Sequence, residues 1–245
     1  MSRKNIRLIL AFDGSDYCGW QIQKNQPTIQ GIVSEAASRI TGEKVRLNGS
    51  GRTDAGTHAR GLVANFLTHS GIAPGKLVLA LNSLLPRDIR ILSARQVPIE
   101  FHARKNARAK IYRYQVYLGS VQPPHLRREF FHFPFPVDIP KMEKAASLFI
   151  GEHDFASFAK SPPIPNTIRT VFRCDLTKKG RCLSLTVEGN GFLHHMVRNM
   201  AGTLLEIGRG DMGLPDFRKL FTCRDRTLAG FTAPAHGLIL LKVKY

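Results

Sequence analysis

Asp54 lies in the stretch GSGRTDAGTHA, residues 49–59, which gathers more chemistry-bearing side chains than a packed connection needs. Arg52, Asp54 and His58 put three ionisable groups within seven residues, and Gly49, Gly51 and Gly56 let the backbone turn tightly and approach a ligand. A carboxylate beside a guanidinium stays ionised at neutral pH and can serve as nucleophile or base. The bland alternative is an exposed Arg52–Asp54 ion pair, worth only about 0 to 1 kcal/mol, and spacing alone does not establish even that contact. Two chemistries are unsupported. The stretch has neither the Lys-[Ser/Thr] ending of a P-loop nor GxGxxG spacing. It also lacks the second carboxylate of a glycosidase, because Asp13 and Asp16 fall in another loop.

Tyr112 and Tyr114 have the same parity on a predicted strand and share one face, with Arg113 on the other. An aromatic ring on a basic surface can stack on an extruded base, worth about 1 to 3 kcal/mol. Core packing is the competing use, and it weighs more on Tyr114 than on Tyr112, which follows a run of arginines and lysines. The adjacent His194 and His195 suggest a metal, but on a helix they point about 100 degrees apart and nothing ligates at i+4. His195, Arg198 and Asn199 share a face of that predicted helix, from which Arg198 can reach a phosphate or the site. Lys105, Arg108, Lys110, Arg127 and Arg128 belong to a basic footprint, although each alone is most often just a solvated charge.

These residues need elements to hold them. Hydrophobic periodicity and breakers predict strands at 5–12, 44–48, 62–67 and 88–97, with helices at 28–41 and 74–84. A basic connector, 98–109, leads to a tyrosine-rich strand at 111–118 and an irregular proline-rich segment at 122–136. Beyond it come a helix at 140–150, a helical turn at 153–159, a rigid loop at 161–166, and strands at 169–176 and 182–188 around the turn Lys178-Lys179-Gly180. A helix at 192–207, a short helix from Pro215 and a strand at 237–243 close the chain. Each half therefore has the order of a split βαβ, ferredoxin-like unit. The expected architecture is α+β, with two βαββαβ subdomains at 1–105 and 106–245 and the glycine-rich loop and basic connector near a common cleft.

The chain has 245 residues and is 43% hydrophobic, enough for a substantial core. Its 36 Lys and Arg against 18 Asp and Glu leave a net charge of +18, and the pI is about 10.3. That field points to a polyanion, most plausibly nucleic acid. Neither a basic amphipathic helix nor a lipidation signal argues for a membrane, no apolar run approaches a span, and the N-terminus lacks a signal h-region, so a cytosolic protein is expected. Cys18, Cys174, Cys182 and Cys223 form no CxxC or zinc pattern; Cys174 and Cys182 can face each other across a hairpin, but free thiols are the expectation.

The stretches FDGSDYCGWQIQ, GRTDAGTHA, FHARKNARAKIYRYQVY, GFLHHMVRNMAGTLLEIGRG and APAHGLILLKVKY, in this order, closely resemble the tRNA pseudouridine synthases of the TruA family. The resemblance covers essentially the whole chain. It implies two subdomains sharing a mixed, largely antiparallel sheet, with the active-site cleft between them, in a homodimeric isomerase. Such enzymes convert uridine to pseudouridine in the anticodon stem-loop of tRNA, at positions 38, 39 and 40, with no metal and no organic cofactor. By motif Asp54 matches the catalytic aspartate, Arg52 the arginine that pairs with it and assists base flipping, and Tyr112 the tyrosine that stacks on the base. The chain departs from the family's commoner residues at Thr57, Ile111 and Ile239, and none of these removes a catalytic group. A non-catalytic RNA binder, or a synthase aimed at other RNA uridines, stands as the alternative.

Overall fold

The computed structural model describes residues 2–160 and 166–245, so most of the loop expected at 161–166 lies outside the described residues. The fold is α+β, and its described residues form two compact units, 1–108 with 240–245 and 109–239.

The first unit contains β1 (Lys4–Phe12), α1 (Ile29–Thr41), β2 (Asn48–Gly49), β3 (His58–Thr68), α2 (Pro74–Leu84) and β4 (Ile89–Val97). Its strands run β4-β1-β3, with β2 also on β3, and every pairing is antiparallel. That is the strand order of a ferredoxin-like unit. Alternation on β1 buries Ile6, Leu8, Leu10 and Phe12. Helix α1 buries Ile29, Val33, Ala36 and Ala37 at helical spacing and stops at Gly42, whose left-handed backbone (φ 69) lets its N–H reach the Ser38 carbonyl.

The strand expected over 44–48 shrinks to the two residues of β2. Val45 and Leu47 do point inward, as the alternation requires, but their backbone polar groups bond to α1 side chains rather than to a strand. The Val45 N–H donates to Ser38 Oγ, and the Leu47 carbonyl accepts from Gln30 Nε2. Conversely, β3 begins four residues earlier than expected, at His58.

The second unit contains β5 (Ala109–Tyr117), β6 (Phe131–His132), α3 (Ile139–Ser147), β7 (Gly151–Asp154), β8 (Ile168–Lys179), β9 (Cys182–Gly189), α4 (Met196–Arg209) and α5 (Leu214–Cys223). The last strand, β10 (Leu238–Lys244), divides between the units after Ile239. Strands β5, β9, β8 and β7 are successive antiparallel neighbours, and β6 joins β5 in parallel inside the segment expected to be irregular. Phe149, Phe155, Phe158 and Phe217 are fully buried together at one end of this core.

Three further expectations shift here. Helix α3 is capped by Asp138, whose Oδ1 accepts from the Lys141 N–H, but it ends at Ser147; the next residues to Ile150 make tighter i→i+3 bonds, and Gly151 opens β7 rather than closing the helix. That strand takes the first part of the turn expected at 153–159, leaving a 3-10 turn at Ala156–Phe158. The hairpin turns at Gly180-Arg181, because Lys178 and Lys179 still pair with Leu183 and Cys182. Cys174 stands opposite Val187, so it does not face Cys182, and all four cysteines are free thiols.

Candidate active site

Residues 50–57 are held at both ends by β3 and along their length by segment 17–20. The Ser50 N–H donates to the Val63 carbonyl, and Ser50 Oγ accepts from the Val63 N–H. Trp20 donates its N–H to the Thr53 carbonyl and Gly56 to that of Tyr17, while the Thr57 N–H closes a turn onto the Asp54 carbonyl. Asp54 is thus half-buried at the tip of a turn whose backbone polar groups are engaged on each side.

Segment 17–20 is itself tied down. The Gly19 and Trp20 carbonyls accept from the Ile29 and Gln30 N–H groups, which satisfies first-turn donors of α1 that no side chain caps. Tyr17 donates its hydroxyl to Asp88 Oδ1 at 2.7 Å; burial and this carboxylate push the phenol well above its ordinary range. The buried Trp20 ring lies flat enough against Gly49 that a Cβ there would be 2.5 Å from it.

Glycine is required at Gly19. It has φ +82, and a Cβ would stand 2.4 Å from the Thr53 carbonyl oxygen and 3.0 Å from the Asp54 carbonyl carbon. The DYCGW segment is therefore the floor on which the Asp54 turn rests, a role that its glutamine-rich surroundings do not announce.

Arg52 is exposed. His58 is buried, and its Nδ1 accepts the Gly14 N–H at 3.1 Å. The same nitrogen lies 3.2 Å from Asp13 Oδ1, a contact that needs the opposite tautomer; the Gly14 bond is the better placed because a backbone N–H can only donate. His58 is thereby a structural residue at the base of β3.

Thr53 and Thr57 flank the aspartate, and their buried Oγ1 atoms have no hydrogen-bond partner among the described residues. A buried hydroxyl left unpaired is destabilising. Replacing Thr57 by Val, which keeps the shape and removes the hydroxyl, is expected to raise stability by about 1 kcal/mol, read by denaturant unfolding.

In the second unit, Tyr112 lies on β5 opposite Val187 and packs edge-to-face on Phe192, with ring centroids 5.2 Å apart at 85 degrees. It is largely buried, at 7% exposure. Tyr114 is fully buried as core; its hydroxyl donates to the Pro234 carbonyl at 2.8 Å, and burial raises its pKa far above the usual phenol value.

The helix expected from Phe192 starts at Met196. His195 occupies its N-cap with a left-handed backbone (φ 65), which no helical residue adopts, so His194 and His195 lie in the preceding loop with rings 4.2 Å apart. No helix sets the angle between these two histidine side chains. Arg198 follows on the first turn, half-buried, and its Nε donates to the Ala233 carbonyl at 2.7 Å.

Lys105, Arg108, Arg127 and Arg128 are exposed and Lys110 is half-buried. The basic connector around Lys105 is anchored by two buried asparagines that sequence reasoning passed over. Asn65 Oδ1 accepts from the Ala103 N–H, its Nδ2 donates to Asn5 Oδ1, and Asn5 Nδ2 donates to the Phe101 carbonyl. Both asparagines stand on the face of β1 and β3 opposite Ile6, Leu8 and Leu10, so sequence alternation carries no signal of their burial.

The Asp54 carboxyl on its pinned turn is carried by an α+β chain of net charge +18, a field suited to a polyanion. The tRNA pseudouridine synthase family matches residues 8–104 and 145–245. The chain is 44% identical over 243 residues to tRNA pseudouridine synthase A of Caldicellulosiruptor saccharolyticus, covering 99% of this chain and 100% of that one. It is 42% identical, with the same coverage, to the protein of that name from Acetivibrio thermocellus. An archaeal box H/ACA Nop10-Cbf5 complex superposes at a TM-score of 0.38 with 14% identity, over 82% of this chain and 43% of that one, too remote to add to the assignment. The chain belongs to the tRNA pseudouridine synthase family.

Proposed function

We propose that the protein isomerises uridine to pseudouridine in the anticodon stem-loop of tRNA, at positions 38, 39 and 40. The observation that carries this reading is Asp54 on its pinned turn, in a chain matched end to end by tRNA pseudouridine synthase A relatives.

The target base leaves the helical stack so that its glycosidic bond can be reached, at a cost of a few kcal/mol that protein contacts must offset. The N1–C1′ bond then breaks, the uracil turns, and a C5–C1′ bond forms; the C5 proton departs to solvent and N1 acquires one. Asp54 starts this through its carboxyl group, either by adding to base or sugar or by removing a ribose proton. Tyr112 stacks on the base, which requires its ring to exchange the Phe192 edge for a base face. Arg52 fills the place of the flipped nucleotide and pairs with Asp54 in that state, and Arg198 holds a phosphate or the uracil.

Lys105, Arg108, Lys110, Arg127 and Arg128 contact backbone phosphates, positioning the stem without reading sequence. The same reading has the protein act in the cytosol as a homodimer. No described helix is long and apolar enough to cross a membrane. Loss of the protein from its cell is expected to remove pseudouridine from positions 38 to 40 of tRNA and from no other position, as mapped by chemical modification and primer extension. Persistence of all three modifications, or loss at a different site, contradicts the assignment.

A further inference from the structure

The segment 226–237 crosses α4 as a strap. Gly202 of α4 is where it lies closest, since a Cβ there would be 1.8 Å from the Phe231 carbonyl oxygen. Backbone and side-chain bonds fasten the strap along its length. The Gly230 N–H donates to Thr203 Oγ1, the Phe231 N–H to Glu206 Oε1, and the Ala233 N–H to the Arg198 carbonyl. Arg198 returns the last of these from its side chain, so Arg198 and Ala233 are joined by reciprocal bonds.

The residues next to that pair in the chain are Asn199 and Thr232, and one side chain grips both. Arg226 donates from one terminal nitrogen to Asn199 Oδ1 at 3.0 Å and to Thr232 Oγ1 at 2.9 Å, and from the other to the Ala229 carbonyl at 3.1 Å. Thr232 Oγ1 in turn donates to Asn199 Oδ1 at 2.7 Å, and Asn199, fully buried, donates from Nδ2 to the Phe158 carbonyl. Removing any member leaves buried polar atoms unpaired, so the cluster tolerates one geometry.

We infer that Arg226 is a positioning residue for the reaction: through Asn199 and Thr232 it fixes the Arg198–Ala233 pair, and so the direction in which the Arg198 guanidinium points. The fork of Arg226 reaches three acceptors from its two terminal nitrogens, which a lysine ammonium cannot reproduce. The inference rests on Arg198 contacting the substrate. It makes Arg226, far along the chain from the catalytic turn and with no substrate contact of its own, a determinant of rate.

The test is a double-mutant cycle read in single-turnover pseudouridine formation on tRNA. Arg226→Lys is expected to slow the reaction by roughly 10- to 100-fold, since misplacing a substrate-holding group by an ångström costs on that order, with tRNA affinity little changed. In an Arg198→Ala background, Arg226→Lys is expected to have no further effect on rate while still lowering the melting temperature. Thr232→Val, which keeps the volume and removes the bridging hydroxyl, serves if the lysine variant folds poorly and is expected to show the same dependence on Arg198. An unchanged rate in both single variants, or equal slowing with and without Arg198, overturns the inference. If Arg198→Ala alone leaves the rate untouched, Arg198 does not contact the substrate and the inference falls with that assignment, while activity in the parent protein keeps the proposed function intact.

Discussion

Replacing Asp54 by Asn abolishes pseudouridine formation, with the rate expected to fall by roughly 10³-fold or more, while tRNA affinity stays within a few-fold. The substitution is nearly isosteric, and the bond that shapes the turn comes from the Thr57 N–H to the Asp54 backbone carbonyl, which asparagine retains. The fold around it is fastened by Ser50, Thr53 and Gly56, none of which uses the carboxylate. The loss is therefore chemical: asparagine offers neither a nucleophilic carboxylate nor a base. Binding survives because the basic field, +18 overall, lies in other side chains. Substantial activity in the variant, with unchanged circular dichroism, moves the chemistry to another group.

Gly19→Ala is expected to produce the second largest loss, without touching any group that reacts. A Cβ at that position must clear the Thr53 carbonyl oxygen at 2.4 Å and the Asp54 carbonyl carbon at 3.0 Å, and neither is the end of a flexible side chain. The positive φ adds strain of about 1 to 3 kcal/mol. Relief comes from moving segment 17–20 away from the turn, which stretches the Trp20–Thr53 and Gly56–Tyr17 bonds and shifts the aspartate. A displacement of about 1 Å lowers kcat by roughly 10²-fold, with KM for tRNA little altered. Steady-state kinetics together with a thermal melt separates this from simple unfolding: the melt drops modestly and kcat drops steeply.

The sequence was most readable where a local signal and a packing demand coincide. Helix α1 ends at Gly42 because only glycine adopts its left-handed turn cheaply, and α2 begins at Pro74, where a missing N–H does no harm. That residues 50–57 form a loop between strands was legible from their glycines and polar side chains. Where the reading slipped, a local pattern continued past the point at which distant groups took over.

Apolar spacing runs through Leu193 into α4, and Leu193 is indeed buried, but nothing in that spacing reveals the left-handed His195 that delays the helix. Residues 44–47 alternate as a strand does, and they take their backbone bonds from Ser38 and Gln30 instead. The support of the site was the least legible part. Gly19 against Thr53, Asn5 with Asn65, and Arg226 between Asn199 and Thr232 are contacts between segments far apart in the chain, and such contacts leave no periodic trace.

A tRNA pseudouridine synthase breaks the glycosidic bond of a uridine and remakes it to carbon. Release of tritium from tRNA labelled at uracil C5 measures it directly, because the C5 hydrogen leaves only when carbon replaces nitrogen at C1′. Incubation with the purified protein is expected to release tritium from the anticodon stem-loop uridines to completion, with no added metal or cofactor. No release above the protein-free control, from tRNA that the protein demonstrably binds, contradicts the account.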